Sequence, residues 1–343
     1  MTEIRARNVN DALASALVGI ATEHDVRNSR NGPVIAFKEP VTTIYAYPTE
    51  RVLFSPKRNA NPVFHLMESL WMLAGRNDTA FLTPFVKRIG DYSDDGMTLW
   101  GAYGFRWREF FGYDQLDAIT AAIRQDPNTR RAVLAMWNGM QREDENESDL
   151  AVAANGGKDV PCNTHVYFDA RDGRLNMTVC CRSNDLWWGC YGANAVHFSV
   201  LLEYMAAKCG LPVGVYRQMS NDLHLYTSVV SVDDLGDLAR DAMDSNLYNC
   251  GMKPQPLIDQ HETVEMFDQD VTNFFGLLDM VSISDFVAGH PEFKTEFFNF
   301  TVVPMLRAWR ARKNFDGAPR LAERIASVDW AVATKDWLLR NQK

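Results

Sequence analysis

The sequence has no Cys-x-x-Cys pair. Its six cysteines stand at positions 162, 180, 181, 190, 209 and 250, a spacing that excludes the usual zinc sites. It also lacks an apolar run of the roughly 20 residues that a membrane helix needs, and it shows no signal peptide. These absences predict reduced thiols in a cytoplasmic protein, with at most one of them catalytic. Cys209, in an apolar stretch, reads as buried filler. Positive charge is in deficit: 35 Lys and Arg against 44 Asp and Glu give a net charge of -9. A duplex-binding surface calls for a basic excess, so nucleic acid is not the expected ligand. An anionic small substrate would need a local site built from a few arginines. Internal repeats and low-complexity tracts are absent as well. With 343 residues, 46% hydrophobic and 23% charged, the chain can bury a large core without disulfides or metals. It reads as one large domain, or one domain with an appendage.

What is present follows a mixed pattern. Residues 1–25 read as a helix with Leu13, Leu17 and Ile20 on one face. The polar stretch from Arg27 to Pro33 reads as a loop, and 34–54 as strands. Residues 61–73 form a strong helix. Its apolar side, marked by Phe64, Met67, Trp71 and Met72, also carries Glu68. A carboxylate there needs a partner or a raised pKa; a structural pairing with an arginine is the alternative to a chemical role. Residues 114–125 read as a helix ended by Asp126-Pro127-Asn128. Arg130-Arg131 then enters a strand over 132–137. The acidic segment 141–158 reads as an exposed excursion. Strands over 163–169 and 174–181 are joined by the Asp172-Gly173 turn. A buried helix over 194–209 is stopped by Gly210-Leu211-Pro212. After about 230 the pattern is helical and polar, rich in Phe and Trp.

Three features carry chemistry. Pro161-Cys162 stands at the mouth of a strand, although a lone cysteine is more often inert core. Arg182-Ser183, with Asp185 close by, suits a phosphate oxygen; such pairs are also common on plain surfaces. His224 and Tyr226 alternate in a strand, so they share a face and can grip one sugar hydroxyl. A satisfied interior histidine is the competing reading.

These features fall within seven blocks that, in order, resemble the thymidylate synthase family: ESLWML (68–73), YGFRWR (103–108), DPNTRRAVLAMWN (126–138), PC (161–162), CRSNDLWWG (181–189), NAVHFSVLLEYMAAKCGL (194–211) and DLHLY (222–226). The resemblance covers about 1–230. It implies an α/β (α+β) fold, a large mixed sheet backed by helices, with residues 1–230 as catalytic core and 231–343 as a helical region packed on it. It further implies one-carbon transfer to C5 of a pyrimidine nucleotide monophosphate, with 5,10-methylenetetrahydrofolate as co-substrate and no metal. Cys162 resembles the nucleophile at C6, and Glu68 the acid/base that manages protons at the base. Tyr103 matches a site tyrosine. Arg182 and Ser183 resemble phosphate ligands. Arg130 and Arg131 match arginines donated across a homodimer interface to shared sites. Either Arg27 or Arg30 resembles a mobile-loop arginine. Asp185 and Gly189 match residues near the base and folate, and His224 and Tyr226 ligands of the sugar hydroxyl. Asn194 resembles the asparagine that reads the N3–O4 edge of uracil, which favours dUMP over dCMP.

The departures from the family pattern point to a branch. Gly90 stands where the family has a tryptophan that packs on the reactive methylene and the folate, so Gly90 marks the cofactor side of the site. The C-terminus, through Lys343, reads as a basic amphipathic helix end with no resemblance to the family's closing tail. Both changes relax water exclusion. Cys181 replaces a usual Gln, Asn163 a usual His, and one extra residue lies between Gly189 and Asn194. The pattern resembles the phage-type pyrimidine hydroxymethylases, which implies 5-hydroxymethylation and, for a phage protein, a host cytoplasm. A divergent thymidylate synthase, a dCMP 5-methylase and a non-catalytic nucleotide-binding regulator are the other readings.

Overall fold

The computed structural model describes residues 2–140, 148–313 and 317–341. A six-stranded mixed sheet has the order β1-β4-β9-β7-β6-β5. Its members are β1 (Thr2–Ala6), β4 (Val41–Tyr45), β5 (Val133–Ala135), β6 (Asn163–Arg171), β7 (Arg174–Cys181) and β9 (Val213–Ser220). A second sheet has the order β2-β3-β10-β8, from β2 (Asp25–Ser29), β3 (Gly32–Ala36), β8 (Asn184–Asp185) and β10 (Leu223–Tyr226).

The large sheet has two different faces. In register across five strands, Thr43, Gln218, Val179, Val166 and Leu134 are buried. The helix Asn194–Cys209 packs on β7 and β9, bringing Phe198 to 6.4 Å from Tyr216 between ring centroids. The next row on the opposite face, Ile44, Arg217, Thr178, Tyr167 and Val133, is half-buried or exposed.

Local chemistry explains the boundaries. Asn61 caps the helix Pro62–Leu73 by accepting from the Phe64 N–H, with Pro62 at the first position, where its missing donor costs nothing. Gly210 ends the 194–209 helix in the left-handed conformation. Asp172 and Gly173 both take positive φ, the turn that matches the twist of the β6–β7 hairpin. Gly104 is required by contact: a Cβ there would lie 2.0 Å from the Met72 carbonyl oxygen.

Several sequence expectations are corrected. Residues 1–25 are not one helix: β1 precedes the helix Val9–Thr22, because only Ile4 of the alternating Thr2–Ala6 faces inward. The stretch from Arg27 to Pro33 is no loop but most of the β2–β3 hairpin; β2 is exposed along its whole length, so its polar side chains hid the strand signal. Of 34–54, only 34–36 (the end of β3) and 41–45 are strand, and of 132–137 only 133–135. Cys209 is only partly buried. The 141–158 excursion is partly wrong: 141–147 lie outside the described residues, yet Asp149 opens the helix Asp149–Ala154 and has no solvent exposure.

Beyond Tyr226 the chain is mainly helical. The helix Leu235–Asp244 packs on Val9–Thr22, and Val328–Asn341 lies along Pro62–Leu73. The last two residues of the expected tail, Gln342 and Lys343, lie outside the described residues. Among those described, no helix is long and apolar enough to cross a membrane.

Asp149 meets Arg106 at 2.7 Å with both side chains fully buried. Removing the charge on one side strands the other in a low-dielectric interior. Asp149→Asn is therefore expected to lower the unfolding free energy by about 3–5 kcal/mol, read as a fall in urea midpoint at constant slope.

Candidate active site

Two cavities, of about 220 and 710 Å³, share Val160 and Cys162 in their walls. Cys162 stands just before β6 and Arg182 just after β7, so the antiparallel hairpin sets them opposite one another. The Arg182 N–H donates to the Cys162 carbonyl at 2.9 Å. Its guanidinium donates to the carbonyls of Pro161 and Val160, both at 3.0 Å. These neutral acceptors hold the cation beside the thiol without cancelling its charge. Burial pushes the Cys162 thiol up; Arg182 pulls it back, Asp159 adds to the rise, and Arg30 also pulls it back.

The smaller cavity brings together Glu68, Tyr103, Asn194 and Cys162. Glu68 has the partner that its position called for, and it is a histidine: His197 Nε2 lies 3.0 Å from Glu68 Oε2. The angle falls outside hydrogen-bond geometry, so this is an ion pair whenever the imidazole is protonated. Burial, with the Cys162 and Cys181 thiols nearby, holds the Tyr103 phenol well above its ordinary range, and it remains a proton donor. A chain of amides fixes Asn194: its Nδ2 donates to Asn184 Oδ1 at 3.1 Å, and Asn184 Nδ2 donates to Ser220 Oγ at 3.1 Å. The Asn194 carbonyl is thereby turned away from this chain of bonds. A Cβ on Gly189 would sit 2.8 Å from Asn184 Oδ1, so a glycine lets the backbone pass.

The larger cavity draws on every strand of the second sheet. It gathers Arg27 from β2, Arg30 from the β2–β3 turn, Asp185 from β8, and His224 and Tyr226 from β10, with Arg182 and Ser183 between. Arg27 pairs with Asp222 at 3.1 Å, and Asp222 also lies 3.4 Å from His224 Nδ1. Arg30 donates to the carbonyls of Gly157 and Lys158, each at 3.3 Å. One Asp185 oxygen accepts the Trp188 N–H; the other is buried and accepts no hydrogen bond of ordinary geometry from a described residue, and burial pushes this carboxyl up.

The structure thus gathers Cys162, Glu68, Tyr103, Asn194, Arg182, Ser183, Asp185, Arg27, Arg30, His224 and Tyr226 around one thiol. Four sequence candidates do not line either cavity: Arg130, Arg131, Gly90 and Gly189. Arg130 and Arg131 are exposed, and their guanidinium groups have no partner among the described residues. Gly90 is absent from the walls although Ile89 and Tyr92 are present, and a Cβ on it would meet nothing within 4 Å. Sequence reasoning missed His197, Asn184, Asp222 and Asp159. His197 follows Asn194 by three residues on one helix, a spacing that could have flagged it. The others carry no such signal.

A family model described as Thymidylate synthase matches residues 50–272. The chain is 44% identical to a deoxyuridylate hydroxymethyltransferase of Pseudomonas phage M6, over 100% of this chain and 95% of that protein. It is 34% identical to the protein of the same name from Bacillus phage SP01, over 78% and 71% of the two chains. A thymidylate synthase of Symbiobacterium thermophilum is also 34% identical, over 48% of this chain and 58% of its own length.

The electrostatics at Cys162 can be read directly. Its alkylation by iodoacetamide, followed by peptide mass spectrometry, is expected to rise at a higher pH than for an ordinary thiol, because burial disfavours the thiolate. Arg182→Gln removes a charge that favours the thiolate and is expected to slow alkylation roughly 3- to 10-fold near neutral pH.

Proposed function

Because the chain belongs to the thymidylate synthase family, we propose that it is a one-carbon transferase that converts dUMP to 5-hydroxymethyl-dUMP through a covalent bond between Cys162 and C6. The observation that carries this reading is its likeness, from end to end, to a phage deoxyuridylate hydroxymethyltransferase. The open space at Gly90, beside a catalytic cavity flanked by Ile89 and Tyr92, is consistent with a site that admits water.

The co-substrate, 5,10-methylenetetrahydrofolate, supplies the one-carbon unit. Asp185 fits it through its buried oxygen, an acceptor that suits an N–H of a pteridine. Cys162 attacks C6 and makes C5 a carbon nucleophile. Glu68, held by His197, manages protons at the base. Arg182, Ser183, Arg27 and Arg30 take the phosphate; Arg27 and Arg30 both face the same cavity, so the reading no longer chooses between them. His224 and Tyr226 take the sugar hydroxyl. The Asn194 carbonyl accepts the uracil N3–H, while its remaining amide hydrogen serves O4. Cytosine reverses the first of these and meets an acceptor with an acceptor. Residues 1–230 act as the catalytic body, since no described residue beyond Tyr226 lines either cavity, and 231–343 buttress it.

We also propose a homodimer. The sheet row of Ile44, Arg217, Thr178, Tyr167 and Val133 is only half-buried or exposed in one chain, and the adjacent exposed Arg130 and Arg131 would reach a partner's phosphate site.

Product mass tests the reaction. Incubation with dUMP and methylenetetrahydrofolate is expected to yield a 5-hydroxymethyl nucleotide and tetrahydrofolate, with dCMP a much poorer substrate. A 5-methyl nucleotide with dihydrofolate would establish a methylating synthase instead. For the dimer, Arg131→Ala and Cys162→Ser subunits, each impaired alone, are expected to recover activity when mixed. Random pairing restores up to about a quarter of the sites, since only one site in each hybrid is intact. Size-exclusion chromatography with activity assays on the mixture reads this; no recovery would argue against shared sites.

A further inference from the structure

One carboxylate in the smaller cavity has no part in the chemistry so far. Asp159 lies three residues before Cys162 and shares the cavity wall with Cys162, Glu68, Tyr103 and Asn194. Its Oδ2 accepts the Gly101 N–H at 2.8 Å. Its Oδ1 accepts no hydrogen bond from any described residue and is not sealed from solvent. The approach depends on a glycine: a Cβ at Gly101 would stand 3.0 Å from Asp159 Oδ1 and 3.0 Å from the Pro161 nitrogen. The carboxylate is therefore clamped by one oxygen and open at the other, beside the nucleophile.

Its surroundings make it a competent base. Burial raises its proton affinity; the Gly101 N–H and the Arg106 charge oppose this, and the charges of Asp94 and Asp149 add to it. Arg106 spends its own donors on Asp149, Trp100 and Met136, so it does not neutralise Asp159 in a direct pair.

Hydroxymethylation has a requirement that methylation does not. A water molecule must lose a proton as its oxygen bonds to the exocyclic carbon. The other groups in this cavity are engaged at that moment. Cys162 is bonded to C6, the Tyr103 phenol holds its proton, and Glu68 serves the protons of the base itself.

We propose that Asp159 is the general base that activates this water, an inference that rests on the hydroxymethylase reading above. The water oxygen bonds to the exocyclic methylene carbon on C5, and its proton passes to Asp159 Oδ1. The electron pair of the exocyclic double bond moves into a C5–C4 enolate. As the enolate collapses, the C5–C6 double bond forms and the C6–S bond breaks, which releases Cys162 as thiolate. Asp159 returns its proton to solvent. Nothing is oxidised or reduced, and no reagent beyond water enters.

The test separates the steps before water addition from the addition itself. With dUMP tritiated at C5, loss of tritium reports formation of the exocyclic methylene. In a single turnover, Asp159→Asn is expected to keep a tritium burst of about one equivalent per site. Hydroxymethyl product should form roughly 100- to 1,000-fold more slowly, and a protein adduct carrying the nucleotide and one carbon should accumulate by intact mass. Asp159→Ala gives a second reading, since added formate is expected to restore product formation at least about tenfold. Product formation by Asp159→Asn at the wild-type rate would overturn the assignment. So would equal loss of tritium release and product, or no rescue by formate in a variant that keeps its burst. The wild-type product keeps the two ideas apart. A methyl product removes the hydroxymethylase reading itself, whereas a hydroxymethyl product indifferent to Asp159 removes only the base.

Discussion

Two side chains with no exposure to solvent, the Arg106 guanidinium and the Asp149 carboxylate, face each other at 2.7 Å where three stretches of chain meet. Arg106 also donates to the carbonyls of Trp100 and Met136, while Asp149 accepts from the Trp100 indole and the Asn138 N–H. The Phe110 ring lies 4.3 Å from the guanidinium. Every donor and acceptor brought inside finds a partner, the condition under which a buried pair repays its desolvation. The pair joins the helix Tyr103–Arg108, the exit of β5 and the start of the segment that returns to Asp159 and Cys162. Tyr103, Gly101 and the nucleophile therefore hold their relative places through contacts outside the cavity they line.

A second constraint is electrostatic. The chain carries a net charge of -9, yet three arginines converge on the larger cavity. Arg30 and Arg182 are held by backbone carbonyls rather than carboxylates. Carbonyl oxygens fix the geometry of a guanidinium and leave its charge available. Of the three, only Arg27 meets a counter-ion among the described residues, Asp222, at a partly exposed pair whose attraction is weak. The same arrangement serves the thiol, since the cations that offer an anion site also oppose the burial that disfavours thiolate. Global charge and local field are thus separable, and only the second bears on the ligand.

Much of this was legible in the sequence because it rests on local rules. The helix over 194–209 runs between a buried apolar pattern and a glycine that only left-handed backbone accommodates. The β6–β7 hairpin follows from Asp172-Gly173. Glu68 stood out because a carboxylate on an apolar helix side demands a partner. What stayed hidden depended on contacts distant in sequence. The strand β2 is an exposed edge with no alternation, so its polar residues read as a loop, and the choice between Arg27 and Arg30 stayed open because the motif around them is too degenerate to decide it. Asp149 read as part of an acidic surface because its partner lies 43 residues away. The identity of the partner of Glu68 was equally out of reach: an arginine was the natural guess, and the fold supplies His197.

Water access links these elements. In a site that excludes water, a one-carbon intermediate waits for hydride, and a carboxylate with a free oxygen near it would be a liability that invites hydration. Here three features run the other way together. Gly90 leaves open space beside the cavity, no described residue beyond Tyr226 lines either chamber, and Asp159 presents an unbonded oxygen beside the thiol. Opening a site only lets water in, and neutral water is a poor nucleophile. A base raises its reactivity at the one carbon where reaction is wanted. The Asp159 carboxylate and the space at Gly90 thus make sense as halves of one device, and each without the other would give a slow or leaky enzyme. The glycine at 101 belongs to the same device, because any larger residue would press on the carboxylate and on the chain that carries the nucleophile.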